Sequence, residues 1–244
     1  LAIAAGDGNN PIVRGILEFK ASLASVNGTG TGAAPLTVAA RFTHTDTVRI
    51  LLAAKADPDF RSGVPIGPMH QAAMFSDPTM LRLMIAAKGD VEKPAKDGRR
   101  PLHFASRQDS VPAAACLIAA RANPDSTDAT GCTALMLAAS SGHRAMVEFL
   151  LDVRASFRPR NNDGITALHL AEAAGRHDCC AAIAAVQGDN VDLLTDEEVG
   201  GNSAEVNLQT LQFVTVHEHP DVFQLVWGLF PGGSTAEDLE PREP

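Results

Sequence analysis

Residues 98–105 read Gly98-Arg-Arg-Pro-Leu-His-Phe-Ala105, and residues 164–171 read Gly164-Ile-Thr-Ala-Leu-His-Leu-Ala171. The two stretches are two steps of 33 apart. Stepping outward by 33 from Leu102 finds equivalent apolar anchors at Leu36, Met69, Leu135 and Leu168. Leu1 lies 35 residues before Leu36 and opens the same pattern, Leu1-Ala-Ile-Ala-Ala5. Three residues past every anchor stands an alanine: Ala4, Ala39, Ala72, Ala105, Ala138 and Ala171. Fifteen past stand Ile16, Leu51, Met84, Leu117, Leu150 and Ile183. A fixed period near 33 marks a repeat architecture, so the unit to interpret is the repeat.

Each unit reads as two short helices. The first opens near Pro35, Pro68 or Pro101, where the missing proline N–H costs nothing at a helix start. The alanine column lets neighbouring helices approach closely. The second helix carries apolar residues 12, 15 and 16 past the anchor, an i, i+3, i+4 stripe. Between units lie Lys96-Asp-Gly98, Asp128-Ala-Thr-Gly131 and Asn161-Asn-Asp-Gly164, and glycine there admits the positive φ of a tight turn. A lone pair of such helices cannot bury its own apolar face, so the units must stack.

These features resemble the ankyrin repeat, with its D-x-x-G turn, T-P-L-H-x-A-A helix start and V-x-x-L-L second helix. Gly98 to Ala105 and Gly164 to Glu172 carry the first part, and Gly142-His-Arg-Ala-Met-Val-Glu-Phe-Leu-Leu151 the second. The resemblance implies an all-α solenoid of stacked helix pairs with β-hairpin or turn fingers over residues 1–187. It also implies a non-catalytic scaffold or adaptor that binds a partner protein on a concave finger and first-helix face. The rival reading is the regulatory array of a longer enzyme or channel. The array starts inside its first unit, which suggests a fragment.

The sequence departs from the family in places. Pro65 replaces a finger glycine and Gly67 a threonine, which predicts a distorted third finger. The linker 26–32 is two residues longer than usual. Where the family ends its second helix with glycine, this chain has Lys20, Lys55, Lys88, Arg121 and Arg154, all 19 residues past their anchors. A cation there meets the negative end of the helix dipole, worth ~0.3–1 kcal/mol. The alternative is a basic ladder for an acidic partner.

By the resemblance, partner-facing positions lie 3, 5 and 6 before and 5 and 6 after each anchor. In the second to fourth units they collect Arg41, Phe42, Val64, Ile66, Met74, Phe75, Lys96, Arg99 and Arg107. Aromatics, Met and Arg are the side chains enriched at interfaces. The fifth unit offers Ala129, Thr130, Ser140 and Ser141, and the sixth Asn162, Ile165 and Ala173. The other possibility for Phe42 and Phe75 is packing between helices.

No phosphate-binding glycine loop, G-x-S-x-G or H-E-x-x-H occurs. His70, His103 and His169 occupy the repeat's histidine position, where a structural hydrogen bond is expected. His177-Asp-Cys-Cys180 superficially suggests an acyltransferase cluster or a metal site, but its phase on the repeat predicts core packing. His217-Glu-His219 with Asp221 has metal-ligand chemistry, although two histidines in an acidic stretch are ordinarily solvated. The expectation is no catalytic residue, no metal and no cofactor.

The chain has 244 residues and a net charge of −9, with no Tyr, one Trp and four Cys at 116, 132, 179 and 180. The charge is uneven: residues 1–187 balance to +2 and residues 188–244 to −11. An acidic end disfavours nucleic acid. The cysteines show no disulfide or zinc spacing, which suits a reducing, intracellular and cytoplasmic setting. No apolar run reaches the ~20 residues that span a bilayer. A monomer is expected. Residues 188–202 read as an acidic linker, 203–230 as a capping or docking segment built around Phe223, Trp227 and Phe230, and 231–244 as a disordered acidic tail. The default for such an acidic end is solvation; the alternative is that it transiently screens the basic column or the Arg99/Arg107 patch, competing with an acidic partner. The last unit's second helix, Cys179 to Val186, shows no polar outer face, which predicts that Leu208–Phe230 covers it, with Phe223 or Trp227 in contact.

Overall fold

The computed structural model describes residues 1–19, 26–28, 33–61 and 64–189. The helices are α1 (Ala2–Gly6), α2 (Asn10–Glu18), α3 (Pro35–Arg41), α4 (Thr45–Ala53), α5 (Pro68–Ala73) and α6 (Thr79–Ala86). They continue as α7 (Pro101–Arg107), α8 (Val111–Ala119), α9 (Ala134–Ser141), α10 (Arg144–Asp152), α11 (Ala167–Ala173) and α12 (His177–Asp189). They form six antiparallel pairs in register with the six anchors. The first helices pack in one row, α1 on α3, then α5, α7, α9 and α11, and the second helices in a parallel row from α2 to α12. Among the described residues no strand forms, and a bridge between Thr127 and Thr133 is the nearest approach to one.

The periodic positions do what their chemistry demands. Leu36, Met69, Leu102 and Leu135 are buried, as are Ala39, Ala72, Ala105 and Ala138 between stacked first helices. In the second helices, Leu51, Met84, Leu117, Leu150 and Ile183 are fully buried. Their equivalent in the first unit, Ile16, is 37% exposed, and Ile12 is 51% exposed where later units bury Thr47, Met80, Ala113, Met146 and Cys179. These two positions face the preceding unit, and none precedes the first among the described residues.

The fingers are turns that bond to one another. Ala95, Asp128 and Asn161 donate their N–H to the carbonyls of Arg99, Cys132 and Ile165, closing three turns. Neighbouring turns are joined by Lys96 N–H to Pro65 C=O at 3.1 Å, Ala129 to Asp97 at 3.1 Å and Asn162 to Thr130 at 3.0 Å. Gly98 and Gly131 both have φ of +77°, and a Cβ on either would meet the next finger at 2.6 or 2.5 Å. Only glycine satisfies both demands. In the third finger Pro65 cannot take that φ, yet its carbonyl still joins the row; Ser62 and Gly63 lie outside the described residues.

Each second helix in units two to five ends in a Schellman turn. Lys55 N–H bonds Leu52 C=O and Ala56 N–H bonds Leu51 C=O, both at 2.9 Å, and Lys88, Arg121 and Arg154 repeat the arrangement. Their φ values are 62°, 64°, 69° and 63°. A residue with a Cβ is destabilised in this left-handed region by ~1–2 kcal/mol. The loops that follow are stapled unit to unit by carboxylates. Asp90 N–H donates to Asp59 at 3.0 Å, Asn123 N–H to Glu92 at 2.8 Å and Ser156 N–H to Asp125 at 2.7 Å.

The staple ends at Arg158, which stands 33 residues after Asp125 and cannot accept an N–H. Two other features mark the same end. α12 continues to Asp189, past the boundary drawn at 187 and past the point where the earlier second helices turn. Glu172 occupies the column that Ala5, Ala40, Ala73, Ser106 and Ala139 fill in the other units. Those five are buried, whereas Glu172 is half-buried and its carboxyl is raised by desolvation. The last unit therefore does carry a polar group on its outer side, supplied by its first helix. The second helix, Cys179 to Val186, is the one that lacks a polar outer face in the sequence, and Glu172 stands on the first. The side chains from Gln187 onward lie outside the described residues, and with them the linker 188–202, the capping or docking segment with Phe223, Trp227 and Phe230, the tail 231–244, and His217, Glu218, His219 and Asp221; so does Lys20.

Candidate partner-binding face

The partner-facing residues sit at the ends of the first helices and on the fingers. Phe42 caps α3 and is 53% exposed. The Arg41 guanidinium lies 5.8 Å from the centre of its ring, and the His44 ring stacks against it with centroids 6.5 Å apart. A cation near an aromatic face is attracted by the ring quadrupole. One unit further, Met74 and Phe75 are half-buried at the end of α5, and Arg107 is exposed at the end of α7. Val64 and Ile66 are half-buried in the third finger. Arg99 is drawn inward, pairing with Asp128 at 3.5 Å and Asp97 at 3.7 Å. It is thereby less available than Arg41 and Arg107. Lys96 is exposed on its finger.

The helix ends that display these residues are braced by side chains the sequence reading passed over. His44 Nε2 bonds the Gly6 carbonyl at 2.9 Å, and His143 Nε2 bonds the Arg107 carbonyl at 3.0 Å. The Ser110 hydroxyl donates to the Phe75 carbonyl. All three lie eight residues past their anchors, and that spacing was the available signal. Each ties its unit to the end of the preceding first helix, fixing the backbone of Phe75 and Arg107.

Asp128 organises the fourth and fifth fingers. Burial raises its pKa, but bonds from the Thr130 hydroxyl and the Cys132 and Thr130 amides outweigh that and hold it below the usual carboxylate range. It stays charged and keeps Arg99 beside it. Arg100 reaches the Thr127 carbonyl at 2.8 Å and pairs with Glu92 at 3.0 Å.

The histidines of the repeat position serve structure. His70 Nδ1 accepts the Gly67 N–H at 3.1 Å and His103 Nδ1 the Arg100 N–H at 3.1 Å. Burial drives both pKa values down, that of His70 to about 4. His169 is half-buried and bonds the Thr166 hydroxyl at 2.9 Å. Cys179 is buried in the core, and burial pushes the half-buried Cys180 thiol up to about 11, with the charge of Glu172 adding to it. Neither thiol is set up as a nucleophile. No group of three or more metal-ligating side chains comes together among the described residues. No described helix is long and apolar enough to cross a membrane.

Two parallel rows of short helices, a row of bonded turns and an exposed edge of helix ends define a helical repeat solenoid. Ankyrin repeats in a three-copy run match residues 69–158 and 109–197, and a single ankyrin repeat matches residues 31–63. These matches span more than half of the chain, which belongs to the ankyrin-repeat family. Ankyrin repeats are generally protein–protein interaction modules. No curated protein matches the chain.

Proposed function

We propose that this chain is a non-catalytic scaffold or adaptor that holds a partner protein on its finger and first-helix edge, centred on the second to fourth units. The observation that carries this reading is Phe42, a half-exposed aromatic with Arg41 against its ring, in line with Met74, Phe75 and the exposed Arg107. Aromatic and arginine anchors on one rigid edge are the composition of an interface centre. The fifth and sixth units present Ala129, Thr130, Ser140, Ser141, Asn162, Ile165 and Ala173 at the same positions, with no aromatic, Met or Arg among them.

The test is site-specific photocrosslinking from position 42 or 107, with position 148 on the opposite helix row as control. A protein captured from 42 and 107 and not from 148 is then purified, and its affinity measured against Phe75→Ala and Arg107→Ala. A hot spot at either costs ~2 kcal/mol, about thirtyfold in Kd. Equal capture from 148, or unchanged affinity in both variants with the fold intact, refutes the reading.

A further inference from the structure

Lys55, Lys88, Arg121 and Arg154 form a second charged row, at the ends of the second helices. Each follows a second helix, each is exposed, and each holds the same left-handed backbone conformation, with φ between 62° and 69°. The same backbone conformation in four stacked units sets four cations at one register position along the array. Glycine would relieve the strain at every one of them. Backbone strain maintained at a surface position is a pointer to a role.

The neighbouring acids keep their charge but do not pair with the line. Asp57, Asp59, Asp90, Glu92 and Asp125 are each occupied by backbone N–H donors in the loop staples. Glu92 also pairs with Arg100. None of the four cations forms a salt bridge among the described residues.

Packed helices lie ~8–10 Å apart, so the cations recur at that spacing. A polyproline II strand has three residues per turn and rises ~3.1 Å per residue. Acids at every third position of such a strand therefore fall on one face ~9 Å apart. We propose that the ladder of Lys55, Lys88, Arg121 and Arg154 docks an extended acidic peptide of a partner protein, with carboxylates at i, i+3, i+6 and i+9. The cations match the carboxylates one to one, and the preformed strand has little entropy to lose on binding.

The probe is a fluorescent peptide of four Glu-Pro-Pro repeats, titrated into the full chain by anisotropy at low and high salt. A peptide of the same composition with its four glutamates contiguous is the control. Binding that weakens with salt and favours the spaced peptide supports the ladder. The variants are Lys88→Gly and Arg121→Gly, alone and together. Each is expected to weaken binding about three- to fivefold while raising Tm by about 2–4 °C. Those opposite directions separate a docking role from a structural one. Absence of binding, equal affinity for the two peptides, unchanged affinity in the double variant, or a fall in its Tm overturns the proposal. So does an equal loss from Arg107→Ala, which would place the peptide on the finger edge. Tighter binding of an oligothymidylate of the same charge would also overturn it, by making nucleic acid the ligand.

Discussion

His70 joins two repeats through one ring: its Nε2 bonds the Lys93 carbonyl of the next unit at 2.8 Å while its Nδ1 accepts the Gly67 N–H of its own. That pair of bonds fixes the neutral tautomer with the proton on Nε2. Burial holds the His70 pKa near 4, against about 6.5 in an unfolded chain. The unfolded state therefore binds a proton more readily between those values, and stability rises with pH across that window. Falling from pH 6.5 to 4, the array should lose roughly 3 kcal/mol from this residue alone. His103, also lowered and bonded to the Cys132 carbonyl, adds in the same direction. Urea unfolding at several pH values checks this. His70→Gln should be less stable at pH 7 and show a flatter pH dependence; an equally steep profile would exclude His70 as the source.

Thr43 is a β-branched residue at φ 59°, in the turn between α3 and α4. The equivalent positions in other units include Gly8, Gly142 and Gly175, all with positive φ. Thr43 is exposed and its hydroxyl bonds the adjacent Phe42 carbonyl, a contact replaceable by water. Thr43→Gly should stabilise the array by ~1 kcal/mol, seen as a rise of about 2–4 °C in Tm. A drop in Tm would show that the hydroxyl outweighs the backbone strain.

Ser106 is fully buried on α7 and its Oγ has no partner among the described residues. Four other units place alanine in that column. A buried hydroxyl without a bond costs ~1–3 kcal/mol, and the alanine methyl fits where Cβ already sits. Ser106→Ala should raise the urea midpoint at constant m-value. No gain would mean that the hydroxyl is satisfied by water.

The period and the small alanine column made the stacked helix pairs legible, because burial between identical units leaves its imprint at the same position every time. The family's glycine at the end of the second helix was visibly replaced by cations, but dipole complementation explained only their charge. The φ values add that these residues hold a strained turn, which no side-chain type announces. Arg99 was legible as a finger residue and not as an inward one, since that depends on Asp128 of the next finger. The braces His44, Ser110 and His143 were missed because they differ in residue type and agree only in spacing and in the carbonyl they bind. At the end of the array the apolar spacing of the second helix gives no sign of Glu172, because that polar group stands on the first helix.

That end yields the sharpest contrast in the molecule. Glu172 and Ala139 share one register position, but among the described residues only Ala139 has a following unit packed over it, leaving it fully buried. Ala139→Glu forces a carboxylate between two units, where it can neither stay hydrated nor find a cation, and unfolding should cost several kcal/mol less than in the parent. Glu172→Ala removes a group whose pKa desolvation already raises, so stability at pH 7 should hold or rise slightly. The outer side of α11 then becomes apolar, and association should increase, as light scattering against concentration would show. The opposite end mirrors the logic. Ile12 and Met146 share a position, 51% exposed in the first unit and fully buried in the fifth. Ile12→Lys should be tolerated, while Met146→Lys should unfold the neighbouring units. Equal damage from the two lysines, or from the two glutamates, would mean that these positions do not report the presence of a stacked neighbour.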